Sequence, residues 1–168
     1  MHSNHHTETR LISPGNVTLA DDDATISLGA QLAPSLKGGM TVFLHGELGA
    51  GKTTLVRGML RGLGYQGKVR SPTYNLVEIY KISRLHLYHF DFYRFNNPDE
   101  WEDAGFREYF NPDSICLIEW PEKAIGFLNL PDLDITLDYA SFGRVATIKA
   151  NTGAGTQCLQ HWQTLNLR

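Results

Sequence analysis

Four residues at fixed spacing, Gly46, Gly51, Lys52 and Thr53, are the clearest chemical signal in this chain. They satisfy G-x-x-x-x-G-K-[ST], a pattern whose parts each serve a bound chain of phosphates. Gly46, Gly49 and Gly51 lack a Cβ, so the backbone can close round an anion with its N–H groups turned inward. Lys52 can bring a point charge to the outer phosphates, and Thr53 can place a hydroxyl on Mg²⁺. Glu47, Leu48 and Ala50 within the loop and Thr54 after it complete the candidate binding stretch.

Such a loop works only between a strand and a helix. Residues 40–44 read as a buried strand that delivers the loop. Leu55, Met59, Leu60 and Leu63 then recur at helical spacing, and Gly64 is a natural stop. The N-terminus of that helix aims its free N–H groups and its dipole at the same phosphates. Upstream, residues 17–20 read as a short strand. Asp21 is an N-cap for a helix carrying Ile26, Leu28, Gly29, Leu32 and Leu36, which Pro34 should kink or end.

A P-loop ATPase also needs an acid for Mg²⁺ and one to orient the attacking water, both at C-terminal ends of strands beside the loop. Two acids qualify. Asp91 ends the strand pattern over 85–90. Glu119 ends the apolar run 115–118, which suits a central parallel strand and is the better match to a Walker B strand. His86 and His89 lie three apart on one strand and so face opposite ways, a poor arrangement for a shared metal; they read as core or surface residues. Residues 69–74 hold Ser71, Pro72 and Thr73. That stretch is open to two readings, a γ-phosphate-sensing switch or an ordinary turn.

The remaining pattern is that of an α/β domain. Residues 74–80 and 85–91 alternate as an antiparallel hairpin. Asn97 and Pro98 open a short acidic helix that stops near Gly105. Strands over 133–139 and 144–150 pair antiparallel, and a short C-terminal helix includes Leu159, Trp162 and Leu165. The expected fold is P-loop NTPase-like, a parallel central sheet with antiparallel strands at its edges and helices on both faces. The expected organisation is a flexible N-terminus over 1–12 and a single domain over 13–168.

The 168 residues carry a net charge of −3, which argues against general nucleic-acid binding. The charge is polarised along the chain. Residues 52–94 hold eight Lys/Arg against two Asp/Glu, and residues 95–140 hold two against eleven. No apolar run approaches bilayer length and no apolar signal region precedes the domain, so the expected address is cytoplasmic. Cys116 and Cys158 make no disulfide framework, and Cys116 sits in an apolar run as a buried, inert thiol.

Four stretches taken together resemble the bacterial TsaE family, formerly YjeE. They are Gly46-Glu47-Leu48-Gly49-Ala50-Gly51-Lys52-Thr53-Thr54, Ser71-Pro72-Thr73-Tyr74, His89-Phe90-Asp91-Phe92-Tyr93-Arg94 and Ile115-Cys116-Leu117-Ile118-Glu119-Trp120. The resemblance spans about residues 17–150. It implies a small ATPase of the tRNA threonylcarbamoyladenosine pathway. Such a protein acts with the TsaB–TsaD pair, which modifies adenosine 37 of tRNAs reading ANN codons, and sustains that pair's turnover. Contact with tRNA would be indirect.

By position, the resemblance makes Lys52 the phosphate lysine, and Thr53 and Glu119 ligands of Mg²⁺. Asp91 becomes the water-positioning or Mg²⁺-linked acid, and Ser71 and Thr73 lie in the switch-like loop. Trp120 would shape the site, while Thr18, Leu19 and Arg144 would lie near the base of ATP. Phe92 departs from the family's usual aliphatic residue, and Trp101 in the acidic helix could pack inward or face a partner. A stand-alone small-molecule or nucleoside kinase is the alternative. It would want an Arg-rich lid, but the region after Asp91 offers Arg94 and Arg107 amid mostly acidic residues. A GTPase would want N-K-x-D, which the chain lacks, and a non-hydrolysing scaffold would survive loss of Lys52 or Glu119.

Overall fold

A computed structural model of the chain describes residues 9–13, 15–72, 74–97 and 99–166. Its strands are β1 (Thr9–Ser13), β2 (Asn16–Leu19), β3 (Thr41–His45), β4 (Val77–Ile82), β5 (Leu85–Asp91), β6 (Ser114–Glu119), β7 (Leu133–Tyr139) and β8 (Arg144–Ala150). Its α-helices are α1 (Asp22–Leu32), α2 (Lys52–Gly62), α3 (Glu100–Ala104) and α4 (Gly153–Asn166). The strands form one sheet in the order β1-β2-β8-β7-β3-β6-β5-β4. Its centre, β7, β3, β6 and β5, is parallel. β4 flanks it antiparallel on one side, and β8, β2 and β1 do so on the other. This is the parallel core with antiparallel edges that the sequence pattern implies.

Of the central strands β6 is covered on both faces, whereas β7 alternates buried apolar residues with Asp134, Thr136 and Asp138. All six residues of β6 are buried. Alternate side chains Ile115 and Leu117 point to α1, α2 and α4, together with Val42, Leu44 and Leu87. Cys116 and Ile118 point the other way, into an aromatic cluster of Phe90, Phe92, Phe95, Trp101 and Phe106 under α3 and short 3-10 turns. Trp101 is 2% exposed and meets Phe92 edge-on at 5.8 Å, so it packs inward. Burying a side chain of this kind contributes about 1.5–3 kcal/mol.

Helix α1 starts where Asp21 accepts a hydrogen bond from the Ala24 N–H at 2.9 Å, and it gives way to a 3-10 turn over Ala33–Ser35 that contains Pro34. It lies against α2 at glycine contacts. A Cβ on Gly58 would stand 2.2 Å from the Ile26 carbonyl oxygen, and one on Gly29 would stand 2.4 Å from the Leu55 carbonyl oxygen. Only hydrogen at those positions lets the two backbones approach this closely.

Four local expectations shift. Thr9–Ser13 is strand, paired antiparallel with β2, so residues 9–12 are not a frayed end. β4 begins at Val77 rather than Tyr74, because Leu76 turns through φ 67° and its carbonyl accepts from the Asp91 N–H. Helix α3 begins at Glu100, with the Asn97 side chain bonded to the Asp99 N–H ahead of it; Pro98 lies outside the described residues. Helix α4 includes Leu159, Trp162 and Leu165 as expected, but at 14 residues it is not short.

Candidate nucleotide site

β3 ends at His45 and the chain turns at once through the glycine loop into α2. Gly46 passes too close to β7 for a side chain, since a Cβ would sit 2.8 Å from the Leu137 carbonyl oxygen. Gly51 precedes α2 at φ 107°, in the left-handed region, and no side chain caps the helix. The first N–H groups of α2 are thereby left to face the space beyond the loop.

That space is a cleft of about 380 Å³. Leu48, Gly49, Gly51, Lys52, Thr53 and Thr54 line it from the loop and α2. Asp91 and Glu119 line it from the ends of β5 and β6, joined by Ser71, Arg144 and Asp22. The two acids are direct partners across the parallel ladder, Asp91 opposite Glu119. Strand pairing therefore fixes their separation near the interstrand spacing, about 4.8 Å between backbones. Glu119 is 4% exposed and its Oε2 accepts from Thr53 Oγ1 at 3.2 Å. Asp91 accepts from the Tyr93 N–H at 2.9 Å. Burial raises the Asp91 carboxyl above its ordinary pKa; the Tyr93 hydrogen bond opposes that shift and the charge of Glu119 adds to it.

Lys52 is buried. Its ammonium donates to the carbonyls of Gly46 and Glu47 and sits 4.3 Å above the ring of Trp120. Burial lowers its pKa, and the charges of Glu119, Asp91 and Glu122 pull against that lowering. Trp120 turns through φ 58° straight after β6. It lines a neighbouring cleft with Gly46, Glu47 and Glu122, so it backs Lys52 from the far side of the loop.

Arg144 holds the loop from β8. Its Nε donates to Ala50 O at 3.1 Å, and its Nη2 to Gly49 O at 3.3 Å. The guanidinium lies 4.2 Å over Tyr139, whose hydroxyl donates to Leu48 O at 3.2 Å. Ala50 itself is buried and contributes through its backbone.

Not every expected residue meets in this cleft. Leu19 is 1% exposed, in the core, and neither it nor Thr18 is among the lining residues. Their connection is through pairing, Leu19 lying opposite Arg144. Thr73 lies outside the described residues. Three contributors escaped the sequence reading. Asp22 and Tyr139 carry no local signal. His89 is fully buried with Nε2 2.6 Å from Glu119 Oε2; its sign was a polar residue two positions before Asp91, on the same strand face.

The cleft thus joins a glycine loop rich in backbone donors to Lys52, the Thr53 hydroxyl and the carboxylates of Asp91 and Glu119, with Asp22, Thr54, Ser71 and Arg144 around them. Oxygen donors of this kind suit a hard divalent cation. Among the described residues no three His, Cys, Asp or Glu side chains gather into a self-sufficient metal site. A cation here would need phosphate oxygens to complete its shell, as Mg²⁺ with a nucleotide does.

The chain matches the family described as "Threonylcarbamoyl adenosine biosynthesis protein TsaE" over residues 19–146. It belongs to the TsaE family. A Haemophilus influenzae protein named tRNA threonylcarbamoyladenosine biosynthesis protein TsaE is 54% identical over 114 residues, 68% of this chain and 72% of that protein. The TsaE protein of Synechocystis is 42% identical over 113 residues, 62% of this chain and 69% of its own length. The crystal structure of Bacillus subtilis YdiB superposes with a TM-score of 0.78 at 26% identity, covering 97% of this chain and 99% of that one. The TsaE match takes in the loop, both acids and Trp120. Among the described residues no helix is long and apolar enough to cross a membrane.

Proposed function

We propose that this chain is the Mg²⁺-dependent ATPase of tRNA threonylcarbamoyladenosine synthesis. On this reading it acts with a TsaB–TsaD pair and sustains that pair's turnover on adenosine 37 of ANN-decoding tRNAs. One observation carries the reading: the glycine loop, Thr53, Glu119 and Asp91 line one cleft in a chain whose relatives bear that pathway's name. A cytoplasmic address goes with it, and two buried free thiols fit a reducing compartment.

The residues divide the work by chemistry. The loop N–H groups and the start of α2 bind the phosphates, and Lys52 turns from the loop carbonyls to the outer phosphate oxygens. Thr53 and Glu119 are the groups that would hold Mg²⁺, which when bound neutralises charge developing on the phosphates. Asp91, at the end of the next strand, is placed to orient the attacking water or a water of the cation's shell. Arg144 and Tyr139 hold the loop in shape from behind, and Trp120 supports Lys52. Ser71, on the segment facing the acids, is placed to report on the terminal phosphate.

Hydrolysis by the isolated chain should be weak, because switch-type sites are completed by partners. The test is ATP hydrolysis by the chain alone and after adding TsaB, TsaD and tRNA, with Lys52→Ala as control. A large rise that disappears with Lys52→Ala supports the proposal. No rise, or phosphoryl transfer to a nucleoside or sugar, overturns it.

A further inference from the structure

His89 is a polar ring in an apolar strand. It lies between Tyr88 and Phe90, fully buried, and pairs across the ladder with Leu117. Its Nε2 stands 2.6 Å from Glu119 Oε2. A carboxylate has no proton to give, so the ring N–H donates. Its Nδ1 is also buried and has no hydrogen-bond partner among the described residues. An orphaned buried nitrogen is unfavourable, and a leucine or phenylalanine would fill the same space without one. The polar gain of having histidine here comes down to a single bond, the one to Glu119.

That bond acts from behind the site. His89 is not among the residues lining the cleft, whereas Glu119, Asp91, Lys52 and Thr53 are. Glu119 Oε2 receives two donors, His89 Nε2 and Thr53 Oγ1. Thr53 would engage a cation through an oxygen lone pair and can still donate to Glu119, but it lines the cleft; His89 is the donor fixed in the core behind it. With Oε2 pinned, the carboxylate keeps one orientation at the edge of the cleft. Buried partners of this kind typically change metal affinity or activity 10–100-fold when removed.

We infer that His89 is a positioning residue, holding the Glu119 carboxylate through Oε2 so that the cleft binds its divalent cation together with nucleotide. The inference rests on reading this cleft as a Mg²⁺–ATP site. The test is calorimetric titration of the full chain with ADP, first in EDTA and then across a Mg²⁺ series. His89→Leu should bind ADP in EDTA within about twofold of wild type and need about 10–100-fold more Mg²⁺ for the half-maximal gain in affinity. His89→Gln, whose amide N–H reaches as far as Nε2, should recover most of that loss. His89→Asn, whose amide stops at the Nδ1 position, should not. On a Glu119→Gln background the His89 substitution should add nothing further. With TsaB, TsaD and tRNA present, kcat should fall and KM for ATP should hold.

A folded His89→Leu with wild-type Mg²⁺ dependence overturns the inference, as does an undiminished loss on the Glu119→Gln background. If His89→Leu does not fold, the Gln–Asn contrast decides: a gap of about tenfold supports the bond, and equal values overturn it. A wild-type chain that takes up no ADP overturns the ATPase reading itself. Wild-type binding with unaltered variants overturns the role of His89 alone.

Discussion

Gly58→Ala should destabilise the protein although alanine is the better helix former. The added Cβ would stand 2.2 Å from Ile26 O and 2.9 Å from Ile26 C and Cα. Ordinary carbon contacts begin near 3.5 Å, so α1 and α2 must part locally by about 1 Å. The obstructing atoms are backbone, which cannot swing aside as a side chain does. Overpacking of this kind costs about 1–3 kcal/mol, and the gain in helix propensity returns about 1 kcal/mol. With the clash at the severe end, the net loss is about 1–2 kcal/mol, or roughly 2–8 °C in Tm for a chain of this size. Gly153→Ala is the matched control, since nothing lies within 4 Å of a Cβ there at the start of α4. Differential scanning calorimetry of both variants reads the effect. Helix α2 also begins with Lys52 and Thr53, so Gly58→Ala should weaken ADP binding several-fold while Gly153→Ala leaves it unchanged. A Gly58→Ala protein that melts at or above wild type would refute the claim that these helices meet backbone to backbone.

Asp91→Asn should raise thermal stability at pH 7 while abolishing most ATP hydrolysis. Burial lifts the folded-state pKa of Asp91 above the unfolded value, so ionising it works against the fold. The penalty is absent below the unfolded pKa, about 3.9, and grows as pH rises through the folded pKa; melting curves should show the variant's advantage at pH 7 vanishing near pH 3. Arg144→Ala removes two donors from the loop carbonyls of Gly49 and Ala50. At about 1 kcal/mol each it should weaken ADP binding about 5–30-fold by calorimetry, and unchanged affinity would count against its role in shaping the loop. Burial pushes the Cys116 thiol up to about 12 and the Cys158 thiol up to about 11. Neither should react with an aromatic disulfide reagent at pH 8 in the native protein, and both should react in guanidinium; a fast native phase would contradict the packing.

Much of the site could be read from the chain because its signals are local. The loop from Gly46 to Thr53 is one continuous segment whose spacing is its chemistry, and the run 115–118 closed by Glu119 announces a central strand by composition alone. What the chain does not display is which strand ends lie side by side. Asp91 and Glu119 are opposite one another only because β5 pairs with β6. His89 looks like any core or surface histidine until that pairing brings Glu119 to it. Tyr139 and Arg144 reach the loop through the hairpin of β7 and β8 and the parallel contact of β7 with β3, which no local pattern encodes. Residues 1–12 read as a polar, frayed end, yet 9–12 belong to a strand, because an edge strand owes its order to its neighbour, here β2, rather than to its own composition. The start of β4 is hidden for a different reason: Tyr74, Asn75 and Leu76 alternate well enough, but Leu76 takes a left-handed turn that alternation cannot reveal.

The register of β5 against β6 has a consequence for how this molecule can vary. The connection between the two acids runs from residue 92 to residue 113 and carries α3, the aromatic cluster and an outward face rich in carboxylates. Hydrogen bonds along the ladder, not the length of that connection, set where Asp91 and Glu119 stand. The connection's exposed face can therefore lengthen, shorten or change its charge from one relative to another while the two acids stay in place. A one-residue slip inside β5 has the opposite effect, turning His89 and Asp91 together to the wrong side of the sheet.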